Sequence, residues 1–365
     1  MAIPVDEPGL QALVYGGAVL GGGGGGSLAA GLQSVREALR VGVPRIVPLA
    51  ALDDEAVLAT LSVVGDPRTF SGFGSGGGHF RRAVSLFESF SAHPVEGYLA
   101  SEVGPLAVTY GLRESAHTGV PVVDAPANGR AHPLFVMGSL GLHLRPRRAA
   151  EVVAVGGVPG TRKYVELALR TNVITAARIL RERAAHMKSP LAVVRNPLTV
   201  AVVRHHAAVG ALSYAHRVGS VLVGELRSGP SAVLRNLASL MGGVVLVTGR
   251  VSAVRVSGRG GFSVGMIGVR GSDGADLEIP VCNEFMAVMR RRRPVVAFPD
   301  LVALFDLSSG LPLASPEVRP HQRVAVFTVP QARLLLGSPM GDRRLLRPIE
   351  KLFHTRLSSN SAVAA

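Results

Sequence analysis

Apolar positions in the first 150 residues fall in short runs separated by longer stretches of helical spacing. The apolar run 10–20 reads as a buried strand leading into six glycines, Gly21 to Gly26. After them Leu28, Leu32, Val35 and Leu39 recur at helical spacing, and Ser27 stands where a helix N-cap belongs, predicting a helix over 28–40. "RIVPL" (45–49), residues 61–64, "EGYLASEVG" (96–104) and the start of "VPVVDAPANGRAHP" (120–133) read as short strands. Helical patterns cover 79–91 and 107–119, the first preceded by a second glycine-rich loop, Ser71–Gly78. Strands alternating with helices predict an α/β domain over 1–155 with a mainly parallel sheet.

The pattern changes near residue 156, where a second domain is expected to run to 350. Val165, Leu169, Val173, Ala176 and Leu180 suggest one long helix over 161–187. Further helical stretches are read at 197–218 and 231–241, so 160–242 is expected to be helical. From Val244 short strands separated by Gly, Asp and Pro turns predict a β-rich unit over 244–335. Residues 351–365 read as a disordered tail.

Composition narrows the chemistry. One cysteine, Cys282, among 365 residues excludes an internal disulfide and a cysteine-built zinc site. Met1–Leu10 carries Asp6 and Glu7 rather than a basic leader, and no apolar run reaches the ~18 residues of a membrane span. A cytoplasmic protein is therefore expected. The net charge of +14 lies wholly in residues 166–365, which hold 26 Lys+Arg against 12 Asp+Glu. No nucleic-acid motif or aromatic stacking pattern accompanies it, so nucleic acid is not an expected partner. Arg290–Arg293 reads as a solvated turn.

The glycine run is the natural candidate for a ligand cradle. Bare backbone at Gly22, Gly23, Gly24, Gly25 and Gly26, followed by Ser27 and a helix start, can present N–H groups to an anionic or carbonyl oxygen. No Gly-Lys-Ser/Thr follows, and no acidic residue stands about 20 positions on at a strand end, so no nucleotide cofactor is expected. Ligands of parallel sheets gather at the carboxyl ends of strands, and Glu102 and Asp124 each follow an expected strand, which makes them candidate bases. Arg130 can hold an anionic oxygen or pair with one of these acids. Cys282 is either a thiolate nucleophile or a buried, inert thiol. A divalent metal held by His132 with Asp124 is left open.

Several segments together resemble the S-methyl-thiohydantoin desulfurase-like family. They are "GGAVLGGGGGG" (16–26), "EVGP" (102–105), "PVVDAPANGRAHP" (121–133), "GRVSAVRV" (249–256), "GGFSVGMIGVRG" (260–271), "CNEFMAV" (282–288) and "PDLVALFDLSSGLPL" (299–313). The resemblance spans roughly residues 10–335. It implies an α/β domain joined to a second, β-containing domain, and sulfur removal from a thiohydantoin-type ring, leaving a hydantoin. The site it implies lies between the glycine run, Glu102, Asp124, and Asn283 with Glu284, with Asn128, Arg130 and Cys282 nearby. Family members often occur beside hydantoinase/oxoprolinase subunits, and a homo-oligomer is compatible with the pattern. The chain departs from the family in one loop. Pro126 and Leu134 replace acidic residues, Asn128 replaces Met, and His132 replaces Phe. These losses raise an alternative expectation, a non-catalytic subunit of a hydantoinase/oxoprolinase-like complex.

Overall fold

A computed structural model describes residues 3–66, 78–145, 147–354 and 356–357. The first half supplies α1 (Glu7–Leu20), α2 (Leu28–Val41), β1 (Ile46–Val47), β2 (Val57–Val64), α3 (Gly78–Phe90), β3 (Gly97–Ala100), α4 (Leu112–Thr118), β4 (Val122–Val123) and β5 (Ala150–Gly156). Then come β6 (Val165–Thr171), α5 (Val173–Met187), β7 (Leu191–Thr199), α6 (Val200–His206), α7 (Ala211–Glu225) and α8 (Pro230–Met241). The β-rich part holds β8 (Val244–Arg259), β9 (Phe262–Gly271), β10 (Asp276–Cys282), β11 (Glu284–Phe285), β12 (Ala287–Arg290), β13 (Arg293–Ala297), β14 (Leu301–Asp306) and β15 (Arg323–Val329), and α9 (Arg347–Phe353) follows.

The first sheet runs β1-β4-β3-β2-β7-β5-β6. Its β1, β4, β3 and β2 are parallel, and β7, β5 and β6 join antiparallel. The expected parallel pairing thus holds for the four strands β1, β4, β3 and β2, and the sheet is mixed because β7, β5 and β6 extend it. Helix α5 covers one face through Ala176, Leu180 and Ala184, and α3 covers the other through Phe80, Ala83 and Phe87. The second sheet is antiparallel throughout, in the order β13-β12-β10-β9-β8-β15-β14, with β11 paired to β10. A shared core ties the halves together, with α1, α7 and α8 packed on Leu301, Phe305 and Phe327 of β14 and β15. Helices α1 and α7 approach so closely that a Cβ on Gly16 would fall 1.7 Å from the Ala215 carbonyl oxygen, and one on Gly219 1.7 Å from that of Ala12.

Three expectations are corrected. The run before the glycines is helix α1, so Gly21–Gly26 links two helices instead of following a strand. Its start is set by Asp6, whose Oδ1 accepts from Gly9 N at 2.8 Å, and by Pro8 in the first turn. The expected helix 161–187 is β6 followed by α5. Val165, Leu167, Leu169 and Thr171 alternate with exposed residues along an edge strand, and Asn172 caps α5 by accepting from Thr175 N at 2.9 Å. Apolar residues four apart satisfy strand alternation as well as a helix face, so spacing alone does not separate the two. The helix expected over 197–218 is the end of β7, then α6 and α7, so the stretch 160–242 contributes two strands to the first sheet. The helices over 28–40, 79–91 and 231–241 form as expected, as do the β strands after 244. Most of the loop Ser71–Gly78 and of the tail 351–365 lies outside the described residues; Gly78 opens α3 and residues 351–353 complete α9.

Candidate active site

A cavity of about 50 Å³ lies at the carboxyl ends of β2 and β3. At ~10–15 Å³ per water it has room for a few waters. Its walls come from both halves: Ser62 to Gly65 at the end of β2, Ser101 and Glu102 after β3, His132, Arg181 of α5, Arg195 of β7, Gly25 and Gly26, and Asn283 with Glu284 from the second sheet. Two carboxyl groups, each from a different half of the chain, therefore face one space.

Glu284 is delivered by an unusual backbone turn. Asn283 adopts φ +62°, a left-handed conformation that Asn tolerates better than most residues. It is fixed there because its Oδ1 accepts from Ser263 N at 2.9 Å and its own N–H donates to Ser263 O at 2.8 Å. The next two residues form β11 against the glycine loop. Phe285 N donates to Gly22 O and Ser315 N to Gly23 O, both at 2.8 Å. A Cβ on Gly24 would lie 2.1 Å from Glu284 Oε1, and one on Gly23 2.6 Å from the Phe285 ring. The loop thus lacks side chains where the second sheet must press against it. Gly25 and Gly26 line the cavity, and their N–H groups donate to no protein acceptor among the described residues.

Burial dominates the electrostatics. It raises the Glu102 carboxyl to about 7, against the Arg195, Arg130 and Arg181 charges and the His132 N–H bond (3.1 Å), which lower it. Burial, reinforced by the Glu102 charge, pushes Glu284 well above the ordinary carboxylate range, and its Oε2 has no hydrogen-bond partner. Burial holds His132 down at about 3, so the imidazole is neutral. Its Nε2 lies 3.4 Å from the Ser101 carbonyl, which can only accept, so Nε2 carries the proton. The remaining lone pair, on Nδ1, is 3.6 Å from Glu102 Oε2 and otherwise unpartnered. A lone pair facing a carboxylate repels it, whereas a protonated Glu102 is attracted. The ring therefore favours the proton on Glu102.

Three guanidinium groups, the buried Arg130 and Arg195 and the half-buried Arg181, surround the carboxyls, each bonded to carbonyl oxygens and stacked on a phenylalanine. Arg195 donates to Phe135 O (2.8 Å) and lies over the Phe135 ring. Arg181 donates to Gly261 O and Pro133 O and lies over Phe262. Arg130 donates to Pro299 O and Asp300 O and lies over Phe298. Burial lowers them to about 9, about 10 and about 10 respectively.

Glu102, Asn283, Glu284, Gly25 and Gly26 thus meet at the cavity. His132, raised as a metal ligand, lines it too, and the remaining expected site residues do not. Asp124 accepts from Leu212 N at 2.7 Å and from Ser213 Oγ at 2.6 Å, capping α7. Asn128 braces its own loop, donating to Arg130 O and accepting from Gly337 N. Ser27 accepts from Ala30 N and caps α2. Gly22, Gly23 and Gly24 serve packing against β11 and Glu284. Cys282 is buried behind the site, where burial pushes its thiol up to about 12, far from a thiolate. The pairing of His132 with Asp124 around a metal, left open by the sequence, is not formed: Asp124 is engaged by α7 while His132 lines the cavity. Among the described residues no three His, Cys, Asp or Glu cluster closely enough to hold a metal ion. The sequence reading missed Arg181 and Arg195. An arginine inside the apolar run "LAVVRNPLT" was a usable signal for the second, because a buried strand does not carry a charge without a reason.

Comparison with known families decides what this arrangement is related to. Residues 9–158 match the model of the S-Me-THD-like N-terminal domain, and 170–342 that of the S-Me-THD-like C-terminal domain. The chain belongs to the S-Me-THD-like family. A crystal structure of a protein from Chromobacterium violaceum shares the fold, with a TM-score of 0.70 at 19% identity over 98% of this chain and 99% of that one. A search of the curated proteins finds no match. The S-Me-THD-like assignment spans both walls of the cavity, Glu102 lying in the N-terminal domain and Glu284 in the C-terminal one. No helix among the described residues is long and apolar enough to cross a membrane.

Proposed function

We propose that this S-Me-THD-like chain is a hydrolase that removes sulfur from a thiohydantoin-type ring. The observation that carries the reading is the pair of carboxyls, the half-buried Glu102 and the buried Glu284, lining one cavity with their proton affinities raised to different extents. Two carboxyls held apart in proton affinity supply a base and an acid at neutral pH. Glu102, near 7, is substantially ionised and takes a proton from water as its oxygen bonds to the sulfur-bearing ring carbon. Glu284 holds its proton and gives it to the sulfur as the carbon–sulfur bond breaks, while the remaining hydroxyl proton passes to the ring nitrogen of an S-alkyl substrate, which leaves a neutral thiol, or to the sulfur of a thione, which leaves hydrogen sulfide; the ring keeps a carbonyl, and the proton on Glu102 returns through water to Glu284. The amides of Gly25 and Gly26 and the Arg195 guanidinium are the donors available to the negative charge that develops in between.

The alternative of a non-catalytic subunit rests on the acidic groups replaced by Pro126 and Leu134. Neither residue lines the cavity, and both of the cavity's carboxyls are present.

The test is sulfide or thiol release from a panel of thiohydantoins and S-alkyl thiohydantoins. Wild type releases it, and Glu102→Gln and Glu284→Gln each lose on the order of 10²–10⁴ in rate with their circular dichroism intact. Undiminished release by both variants would overturn the residue roles. No release by wild type across the panel would overturn the reaction.

A further inference from the structure

Arg195 is a buried charge balanced by one neighbour. It is 1% exposed, and its hydrogen bond goes to a neutral acceptor, the Phe135 carbonyl. Its Nε has no hydrogen-bond partner. Acids outside the cavity face the other two guanidiniums, Asp300 that of Arg130 and Asp66 that of Arg181. The one carboxyl that acts on Arg195 is Glu102. Once Glu102 is protonated, no described group balances Arg195, and a buried charge without a counter-charge is costly.

Three more donors open onto the same space. Ser62 is 3% exposed and its Oγ has no partner. The N–H groups of Gly25 and Gly26 donate to no described acceptor, and α2 starts just after them, adding partial positive charge. Arg195, Ser62, Gly25 and Gly26 all line a cavity of about 50 Å³. Of the other titratable groups there, Tyr110 and Glu284 hold their protons, Arg181 adds positive charge, and the His132 Nδ1 lone pair is turned to Glu102. We propose that the cavity binds one monovalent anion of halide size, chloride from the medium or hydrosulfide from the reaction, on the Gly25 and Gly26 amides, Ser62 Oγ and Arg195 Nε. A cation would be repelled by Arg195 and Arg181, and a neutral ligand would leave Arg195 unbalanced. Ionised Glu102 supplies the charge that the anion brings, so binding weakens as pH rises through about 7, and the bound anion in turn holds the proton on Glu102. The binding stands without the reaction proposed above, whereas inhibition of that reaction by the anion rests on it.

The experiment is a titration of the full chain with sodium chloride, and separately with sodium hydrosulfide, followed by backbone amide NMR at an ionic strength held with sodium gluconate. The anions are expected to shift the Gly25 and Gly26 amides saturably below pH 7, and added gluconate is not. Either anion alone doing so supports the site and names its source. Ser62→Ala removes a hydrogen bond to the charge without unpairing any protein group, and is expected to weaken binding about tenfold. Glu102→Gln is expected to bind with the same affinity below and above pH 7. In a chain that turns over, chloride should raise KM and move the acid limb of kcat/KM to higher pH. Amides unmoved by both anions, shifts that fail to saturate, unchanged affinity in Ser62→Ala, or a wild-type affinity that does not weaken above pH 7 would overturn the proposal. Saturable binding by a chain that releases no sulfur from any thiohydantoin would overturn the reaction and leave the anion site standing.

Discussion

Gly24 owes its identity to Glu284. Its φ lies outside the left-handed region, so an alanine there is strained by contact alone, the new Cβ falling 2.1 Å from Glu284 Oε1. Gly24→Ala is expected to cost about 1–3 kcal/mol in urea unfolding and to reduce turnover with it. Adding Glu284→Ala to that variant should recover the stability and none of the activity, a non-additivity that reports the contact. The titrations give a second test. Glu102 is raised from 4.5 to about 7, so the folded state binds its proton more tightly than the unfolded chain does. The stability from this is fully present below 4.5 and is lost as pH rises through about 7, roughly 3 kcal/mol in all; Glu284 acts in the same direction. His132, lowered from 6.5 to about 3, has the opposite sign, its contribution being lost as pH falls through that interval. The two slopes oppose each other between 4.5 and 6.5. Above 6.5 the carboxyls act alone, so the melting temperature should fall as pH passes 7, and fall less in Glu102→Gln. Below 4.5 the contributions of Glu102 and Glu284 are constant, and His132 adds to the acid-side loss that Glu166 and Asp342, both held down at about 2, also produce, so His132→Phe should make the acid side less steep.

At the scale of elements, Asp124 marks the line between holding a fold and performing chemistry. It follows β4 at the carboxyl edge of the sheet, where sheet logic puts ligands, yet its carboxylate accepts the first N–H groups of α7. Asp124→Ala is expected to destabilise the chain by ~1 kcal/mol, the usual cost of losing a cap, with turnover per folded molecule unchanged. Loss of turnover at unchanged stability would return Asp124 to the site. Nothing local separates it from Glu102, since both are acids just after short apolar strands. The distinction comes from α7, 88 residues further on, which reaches Asp124 but not Glu102. The Gly21–Gly26 run has a similar history. Its lack of side chains is plain in the sequence, but its partner β11 lies some 260 residues away, so its role as a seat for the second sheet is not legible locally.

Across the whole molecule, the strands and helices with one strong period were readable from the chain: α2, α3, α8 and the strands from β8 onward. The misread stretches are those whose period is ambiguous or whose environment is set from afar. Strand β6 reads as helix because its alternation also satisfies a four-residue spacing, and β7 lies within an expected helical stretch because its place in the middle of the first sheet is set by distant partners. The site divides in the same way. Glu102, Asn283, Glu284 and the glycines sit in compact motifs, whereas Arg181 and Arg195 reach the cavity only because α5 and β7 fold over the carboxyl edge. At this scale the claim is that the two halves meet to hold one acid and one base in a single buried space. The most direct measurement is the pH dependence of kcat/KM for thiol release from an S-methyl thiohydantoin. It should be bell-shaped, with the acid limb near 7 set by Glu102 and the basic limb above it set by Glu284. Glu102→Gln should abolish the acid limb and Glu284→Gln the basic one, each with a rate loss on the order of 10²–10⁴. A profile of unchanged shape and height in both variants would contradict the account.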